Sequence, residues 1–275
     1  MKISVITVSF NAGATISDAM QSVWDQRLPT GVQLDYLVID GVSKDDTLEK
    51  VKAFAAKVAA SGRLDFSFRW ISEPDKGLYD AMNKGIGLAT GEVIGILNAD
   101  DMMNYPEAIA DVATAADPAV GVLFADVRFV AQSAQYAALD KTETYRYICP
   151  KRWKPWKLSW GLTPPHPGLY IRKAAYEKWG AYLTGYEISS DDEIIVRLVR
   201  RCGEKTKYLP KCLVAMRLGG KSTRGWRNII LQNREFVEMN KANGYWCCLP
   251  MMMPKMALKV LEIVKPKVRR LLGRK

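Results

Sequence analysis

The feature that most constrains this chain is a short apolar strand that ends in carboxylates. Val93-Ile-Gly-Ile-Leu97 runs straight into Asn98-Ala99-Asp100-Asp101. A buried strand that delivers two adjacent carboxylates to its C-terminal end is costly unless something compensates them, and a divalent cation is the usual compensation. The residues before it supply context. Pro74-Asp75-Lys76-Gly77 is a turn signal. Leu78, Ala81, Met82, Ile86 and Leu88/Ala89 then fall on or near one helical face, and Gly91 is expected to end that helix.

The rest of the chain repeats this alternation. Residues 3–8 form a near-continuous β-branched run, the pattern of a strand buried on both faces. Ser9-Phe10-Asn11-Ala12-Gly13 turns it into a helix over 14–26. Strand 34–39 closes at Asp40-Gly41, helix 47–60 follows, and then a short strand 69–72. Further on we expect helix 105–116 with Pro106 in its first turn, a strand within 120–130 and a strand at 169–171. Helices 173–179 and 193–202, strand 214–218 and helix 227–241 complete the series. Strand–helix order with short polar loops predicts an α/β chain with a mostly parallel sheet flanked by helices. Ligands of such sheets sit outside the carboxyl ends of the strands. Ser9-Phe10-Asn11, Asp40-Gly41 and Asn98–Asp101 therefore converge on one crevice.

Charge is unevenly spread. Residues 1–150 hold 13 Lys and Arg against 20 Asp and Glu, residues 151–250 hold 19 against 8, and residues 251–275 hold 8 against 1. An acidic front half argues against a nucleic-acid binder. The basic end points to an anionic surface such as phospholipid. From Lys255 onward, Ala257, Val260, Leu261, Val264, Val268, Leu271 and Leu272 share one helical face and Lys or Arg the other, an interfacial pattern that Pro266 should kink. No run approaches the roughly 18 apolar residues of a membrane span, and the N-terminus reads as a strand of the fold rather than a signal peptide. Five Cys without metal-ligand spacing suggest reduced, cytosolic thiols, and one His leaves almost no room for a His-based zinc site.

Each candidate residue has a bland reading beside its functional one. Asp100 and Asp101 could be a solvated turn, but the buried strand before them favours metal binding, with Asn98 as a neutral oxygen ligand or a turn former. Asp40 is either a turn residue or an acceptor for a ribose hydroxyl or base N–H. Asp75, Lys76, Asp80, Asn83 and Lys84 bracket a helix start that could bind phosphate, and each is equally a solvated helix residue. Ser190-Asp191-Asp192-Glu193 is an ordinary helix start, yet a reaction that deprotonates a hydroxyl needs a carboxylate apart from the metal ligands. Asp191 is the candidate base. His166, fixed between prolines, is structural or presented to a substrate. Trp153, Trp156 and Trp160 are core or a sugar-stacking platform. Lys221, Ser222 and Arg224 form either a solvated loop or one that closes on phosphates.

Ile3-Ser-Val-Ile-Thr-Val-Ser-Phe-Asn11, Val38-Ile-Asp-Gly41, Glu73-Pro-Asp-Lys-Gly-Leu-Tyr-Asp-Ala-Met-Asn-Lys-Gly85 and Leu97-Asn-Ala-Asp-Asp101, in that order, resemble bacterial family 2 glycosyltransferases, most of all those of exopolysaccharide, colanic-acid and O-antigen assembly. The resemblance covers 1–105 strongly and 160–225 more loosely. It implies a GT-A fold, a nucleotide-diphospho-sugar donor with UDP favoured, Mn²⁺ or Mg²⁺, and inversion at the anomeric carbon. Val8, Ser9, Phe10 and Asn11 match the nucleotide-binding turn and Asp40 the base- or ribose-binding Asp. Asn98-Ala99-Asp100 occupies the metal-binding Asp-X-Asp position, with Asn a departure, and Asp191 matches the catalytic base. Asp75, Lys76 and Asp80 join the donor set; His166, Trp160 and Asp192 are acceptor-side candidates. Arg-Leu-Gly-Gly-X-Ser, a family pattern, appears at 217–222.

The expected function is single-sugar transfer to a saccharide or lipid-linked acceptor, in the cytoplasm and peripherally at the inner face of the membrane through the tail. Residues 1–225 would form the transferase domain, split into a donor half 1–105 and an acceptor and base half 106–225, with a helical region 226–275 after it. Two other functions compete. A sugar-nucleotide-forming nucleotidyltransferase normally has a Gly-rich basic loop after the first strand, which Ser9–Gly13 lacks. A non-enzymatic membrane adaptor leaves the buried-strand carboxylates unexplained.

Overall fold

The computed structural model describes residues 1–219 and 226–252. The loop of Lys221, Ser222 and Arg224 and the amphipathic tail from Lys255 lie outside the described residues.

The first half alternates as expected: β1 (Lys2–Ser9), α1 (Ile16–Trp24), β2 (Gln33–Asp40), α2 (Thr47–Ser61), β3 (Phe66–Ser72), α3 (Leu78–Leu88) and β4 (Val93–Ile96). Then come β5 (Met102–Met103), α4 (Ala108–Ala115), β6 (Val122–Val130), β7 (Arg146–Ile148), β8 (Leu169–Arg172) and α5 (Lys173–Trp179). The chain continues with α6 (Ser190–Ile195), a π-helical extension Val196–Arg201, β9 (Thr206–Arg217) and α7 (Trp226–Ala242). One sheet runs in the order β3-β2-β1-β4-β8-β6-β9-β5, with β7 beside β6. The four strands from β3 to β4 are parallel. Beyond them the sheet is mixed: β8 is antiparallel to both β4 and β6, and β9 is parallel to β6.

Side chains of β1 alternate between two cores. Ile3 and Val5 pack with α1, α2 and α4; Ile6 and Val8 pack with α3 and the helices of the second half. Each such side chain, fully buried, contributes about 1.5–3 kcal/mol, which is why both faces of this strand carry β-branched residues. Helix α7 shares the second core through Val237 and Met239, and the Glu235 carboxylate accepts the backbone N–H groups of Glu187 and Ile188 at 2.6 and 3.1 Å.

Several boundaries differ from the sequence reading. Helix α3 ends at Leu88, not at Gly91, because Ala89 is already extended. Gly91 instead allows close packing: a Cβ there would lie 2.4 Å from the backbone N of Ser4. Pro106 precedes α4 rather than opening it, and its carbonyl accepts the Arg27 N–H. Strand β9 begins well before the expected 214, passing through Pro210. The register against β6 jumps from Ala125↔Leu209 to Asp126↔Cys212, so the residue without an N–H sits in a bulge where none is needed. The expected helix 193–202 starts earlier, at Ser190, and widens into a π-helix with Cys202 N–H bonded to the Arg197 carbonyl.

Candidate active site

The carboxyl ends of β1 to β4, β6 and β9 and the amino end of β8 lie along one edge of the sheet, as their register requires. The strand ends expected to converge therefore share one edge, and several segments surround them.

At the ends of β1 to β3, Asp40 is fully buried and both its oxygens are engaged. Oδ1 accepts the hydroxyls of Ser9 (3.2 Å) and Ser43 (2.5 Å); Oδ2 accepts the Ser43 N–H (3.0 Å) and the Ser72 hydroxyl (2.7 Å). Asp40 thus ties the ends of β1, β2 and β3 together, and a ligand N–H would compete with groups already bound. Ser43 also accepts the Asn11 N–H, while the Asn11 side chain accepts the Lys44 N–H. Asn11 and Val42 both have positive φ, 50° and 62°, so these two turns are locally strained. Phe10, just past the end of β1, is 63% exposed. Val8 belongs to the core and can offer only its backbone.

The β3–α3 turn abuts this region. A Cβ on Gly41 would lie 2.4 Å from Asp75 Oδ2. The expected phosphate-binding amides are occupied by the chain's own carboxylates: Asp75 accepts the Gly77 N–H and Asp80 the Lys76 N–H. The Lys76 side chain is exposed. Lys84 bonds to Glu73 at 3.0 Å and Asn83 to Tyr182, so both stabilise the turn and helix.

At the end of β4, Asp101 is buried and Asn98 Nδ2 donates to its Oδ2 at 3.1 Å. Burial, and then the neighbouring Asp100 charge, push the Asp101 carboxyl well above its ordinary value, against the Asn98 amide and the Arg217 guanidinium. Asn98 Oδ1 is buried without a hydrogen-bond partner. Asp100 is half-buried, and Ala99 is core. An adjacent carboxylate pair with an orphaned amide oxygen fits an oxygen-seeking cation. Among the described residues no three His, Cys, Asp or Glu side chains stand together as an all-protein cage; an ion here would complete its shell from substrate oxygens, as Mg²⁺ commonly does.

Arg217 is a contributor whose role the sequence did not disclose. It is buried, donates to the Asp100 carbonyl at 2.9 Å and to the Ala134 carbonyl, and pairs with Asp18 of α1 at 2.5 Å. It fastens the carboxylate turn to two other elements.

Across the crevice, α6 presents Asp191 and Asp192. The Tyr79 hydroxyl lies 2.6 Å from the Ile188 carbonyl and 3.2 Å from Asp191 Oδ1, so the first turn of α3 touches the base candidate. Burial, and then the Asp192 charge, raise the Asp191 carboxyl to about 7, opposed by the Tyr79 hydroxyl and backbone N–H groups. Asp192 accepts the Thr163 hydroxyl at 2.5 Å. Tyr79 stacks on Tyr182, whose hydroxyl meets His166 Nε2 at 2.8 Å. Burial lowers His166 to about 4, so it is a neutral ring held within this aromatic network. The tryptophans divide: Trp153 is core against Phe124, while Trp156 and Trp160 are exposed. Tyr79 and Thr163 carry no local sequence signal, because their partners lie on distant elements.

The family model described as Glycosyl transferase family 2 matches residues 4–179, well over half of the chain. The chain belongs to glycosyl transferase family 2. An uncharacterized glycosyltransferase of Mycobacterium tuberculosis (strain CDC 1551 / Oshkosh) is 29% identical over 204 residues, covering 73% of this chain and 70% of that protein. A PGL/p-HBAD biosynthesis glycosyltransferase of Mycobacterium bovis (strain BCG / Pasteur 1173P2) is 25% identical over 212 residues, 75% of this chain and 73% of the relative. Among solved structures, a mannosyltransferase from Pyrobaculum calidifontis in complex with GDP-Man and Mn²⁺ superposes with a TM-score of 0.64 at 20% identity, covering 94% of this glycosyltransferase and 69% of its own chain. Residues 1–349 of S. aureus TarS in complex with UDP-GlcNAc give 0.65 at 18% identity, covering 88% and 65%. The expected GT-A fold is thereby shown, and the nucleotidyltransferase and adaptor readings fall away. Among the described residues no helix is long and apolar enough to cross a membrane.

Proposed function

We propose that this glycosyltransferase is metal-dependent and inverting, and moves a sugar from a nucleotide-diphospho-sugar to an acceptor hydroxyl of a saccharide or lipid-linked saccharide in bacterial surface polysaccharide assembly. The observation that carries it is Asp191: a carboxyl raised to about 7, bonded to α3 and set apart from the Asp100–Asp101 pair. Such a group is half ionised near neutral pH and suits removal of a hydroxyl proton in the transition state. Asp191 takes the acceptor proton as that oxygen attacks the anomeric carbon, on the face opposite the departing diphosphate. Asp100 and Asp101, with Asn98 Oδ1, would hold Mn²⁺ or Mg²⁺, which when bound offsets the diphosphate charge. Phe10, Ser9 and Asn11 line the nucleotide end, with Asp40 holding their turn. Lys76 is free to approach phosphate, and Asp75 and Asp80 shape that loop. Thr163 and Asp192 adjoin the acceptor path, with Trp160 at its rim and His166 supporting its wall through Tyr182.

Titration calorimetry with UDP and GDP, each with and without Mn²⁺, tests the donor reading. Both bases are included because the solved neighbours carry UDP-GlcNAc in one case and GDP-Man in the other. Metal-dependent binding of one nucleotide is expected; absence of any would overturn it. The anomeric configuration of the product, read by NMR, decides between inversion and retention.

A further inference from the structure

Beside the acceptor-side candidates, two segments far apart in sequence bring exposed tryptophans into a basic surface. In the 3₁₀ segment Pro155–Trp160, Trp156 is 61% exposed and Trp160 40%; near the second segment, Leu249–Met252, Trp246 is 77% and Leu249 52% exposed. The two are locked together through Arg200. Its Nη1 donates to Ser159 Oγ at 2.6 Å, its guanidinium lies 3.7 Å from the centre of the Tyr245 ring, and the Tyr245 hydroxyl donates to its carbonyl. Cys247 Sγ reaches the Ser159 carbonyl at 3.5 Å. Trp160 and Trp246 are the next residues after Ser159 and Tyr245, so they stand on adjoining segments. Beneath them Trp153, Leu158 and Cys247 are already buried in the core, and the exposed rings are not needed to fill it.

The surroundings are cationic. Lys151, Arg152 and Lys154 are exposed, and Lys157 Nζ stands 5.7 Å from the Trp156 ring centre. No acidic residue occurs between Glu143 and Glu177, or between Glu238 and Glu262. Beyond Met252 the sequence is basic, with 8 Lys and Arg against 1 Glu over residues 251–275. A neutral sugar makes no use of such an excess of charge. Tryptophans, whose amphipathic rings settle at the headgroup level, among lysines that answer an anionic leaflet, are the chemistry of a bilayer interface.

We propose that this patch is a membrane-docking face that seats the folded domain on anionic phospholipid, beside whatever the tail contributes. It also orients the enzyme. Thr163, three residues beyond Trp160, is bonded to Asp192, so docking turns the base side of the crevice toward the bilayer, where a lipid-linked acceptor would present its hydroxyl. That orientation rests on the proposed function; the docking does not.

The test uses the full chain and vesicles of phosphatidylcholine with and without phosphatidylglycerol, some with bromine-labelled acyl chains. The expected result is partitioning onto the anionic vesicles with quenching of tryptophan emission. Trp156→Ser/Trp246→Ser should weaken partitioning about tenfold and reduce the quenching. Lys151→Gln/Lys154→Gln should weaken it about fivefold per lysine at low salt. Both variants should keep the parent melting temperature and nucleotide binding. Unchanged partitioning in both variants overturns the proposal and leaves any vesicle binding to the tail. So does a change in oligomeric size on substitution, which would make the patch a contact between copies, or loss of saccharide binding with vesicle binding intact. If the tryptophan variant fails to fold, the lysine variant decides, since those side chains are exposed. A parent chain that binds vesicles but no nucleotide would sink the donor reading and leave this one standing.

Discussion

Asp191 holds its proton more tightly in the folded chain than its ordinary value of 3.8 allows, with the midpoint raised to about 7. As a base it must be ionised, so the transfer rate should climb as pH rises through about 7 and fall below it. The pH–rate profile reads this directly. Tyr79→Phe removes a donor that favours the ionised form, so its acid limb should move to higher pH while nucleotide affinity holds. Asp191→Asn should lower transfer about 10²–10⁴-fold with nucleotide binding retained; a variant that keeps its rate would remove Asp191 as the base. Stability runs the other way. The folded state binds the proton more tightly than the unfolded state, so this group's contribution falls as pH rises from about 4 to about 7. Asp191→Asn should therefore be more stable than the parent at pH 8, by about 1–3 kcal/mol, with the gain vanishing near pH 4. Thermal melts across that range check the sign.

At the scale of elements, β9 does more than close the sheet. Its last residue, Arg217, reaches Asp18 on α1 and the carbonyl of Asp100 after β4. Arg217→Ala leaves the Asp18 carboxylate and two carbonyls without their donor and should destabilise the chain by about 3–5 kcal/mol. Urea unfolding measures that cost, and Arg217→Lys, which lacks the fork, should recover only part of it. The link between α3 and β4 is tight for a different reason. Gly91→Ala would press a methyl to 2.4 Å from the backbone N of Ser4 in β1, where no side chain can swing away. A loss of about 2 kcal/mol or more is expected in the same measurement.

For the whole molecule, the consequence of a single continuous sheet is that one edge carries both groups of candidate residues. The parallel half brings Ser9–Asn11, Asp40 and the Asn98–Asp101 turn to it; the mixed half brings His166, Arg217 and, through α6, Asp191. In the proposed mechanism, separate carboxylates then serve the donor phosphates and the acceptor hydroxyl at once. Asp100→Ala should abolish metal-stimulated nucleotide binding in calorimetry with little change in melting temperature, because that side chain is only half-buried. Chelation of divalent ions should reproduce the loss in the parent chain.

Much of this edge is legible in the sequence. A strand buried on both faces takes a polar side chain only where a partner meets it, as at Ser4, Thr7 and Asp35, so β1, β2 and β4 read as largely apolar runs, and the polar residues at their ends mark the candidate site. Helix α5 was read at its full bounds, Lys173–Trp179, and α2 to within a residue, because side-chain spacing along a helix is a local property. What the tertiary structure decided depends on partners far along the chain. Tyr79 meets Asp191 across 112 residues and Arg217 meets Asp18 across 199; no local spacing encodes either pair. The fourfold bonding of Asp40, the passage of β9 through Pro210 and the raised carboxyl of Asp191 belong to the same class. Each is set by neighbours on other elements and by how much water the packed chain excludes, and sequence order records neither.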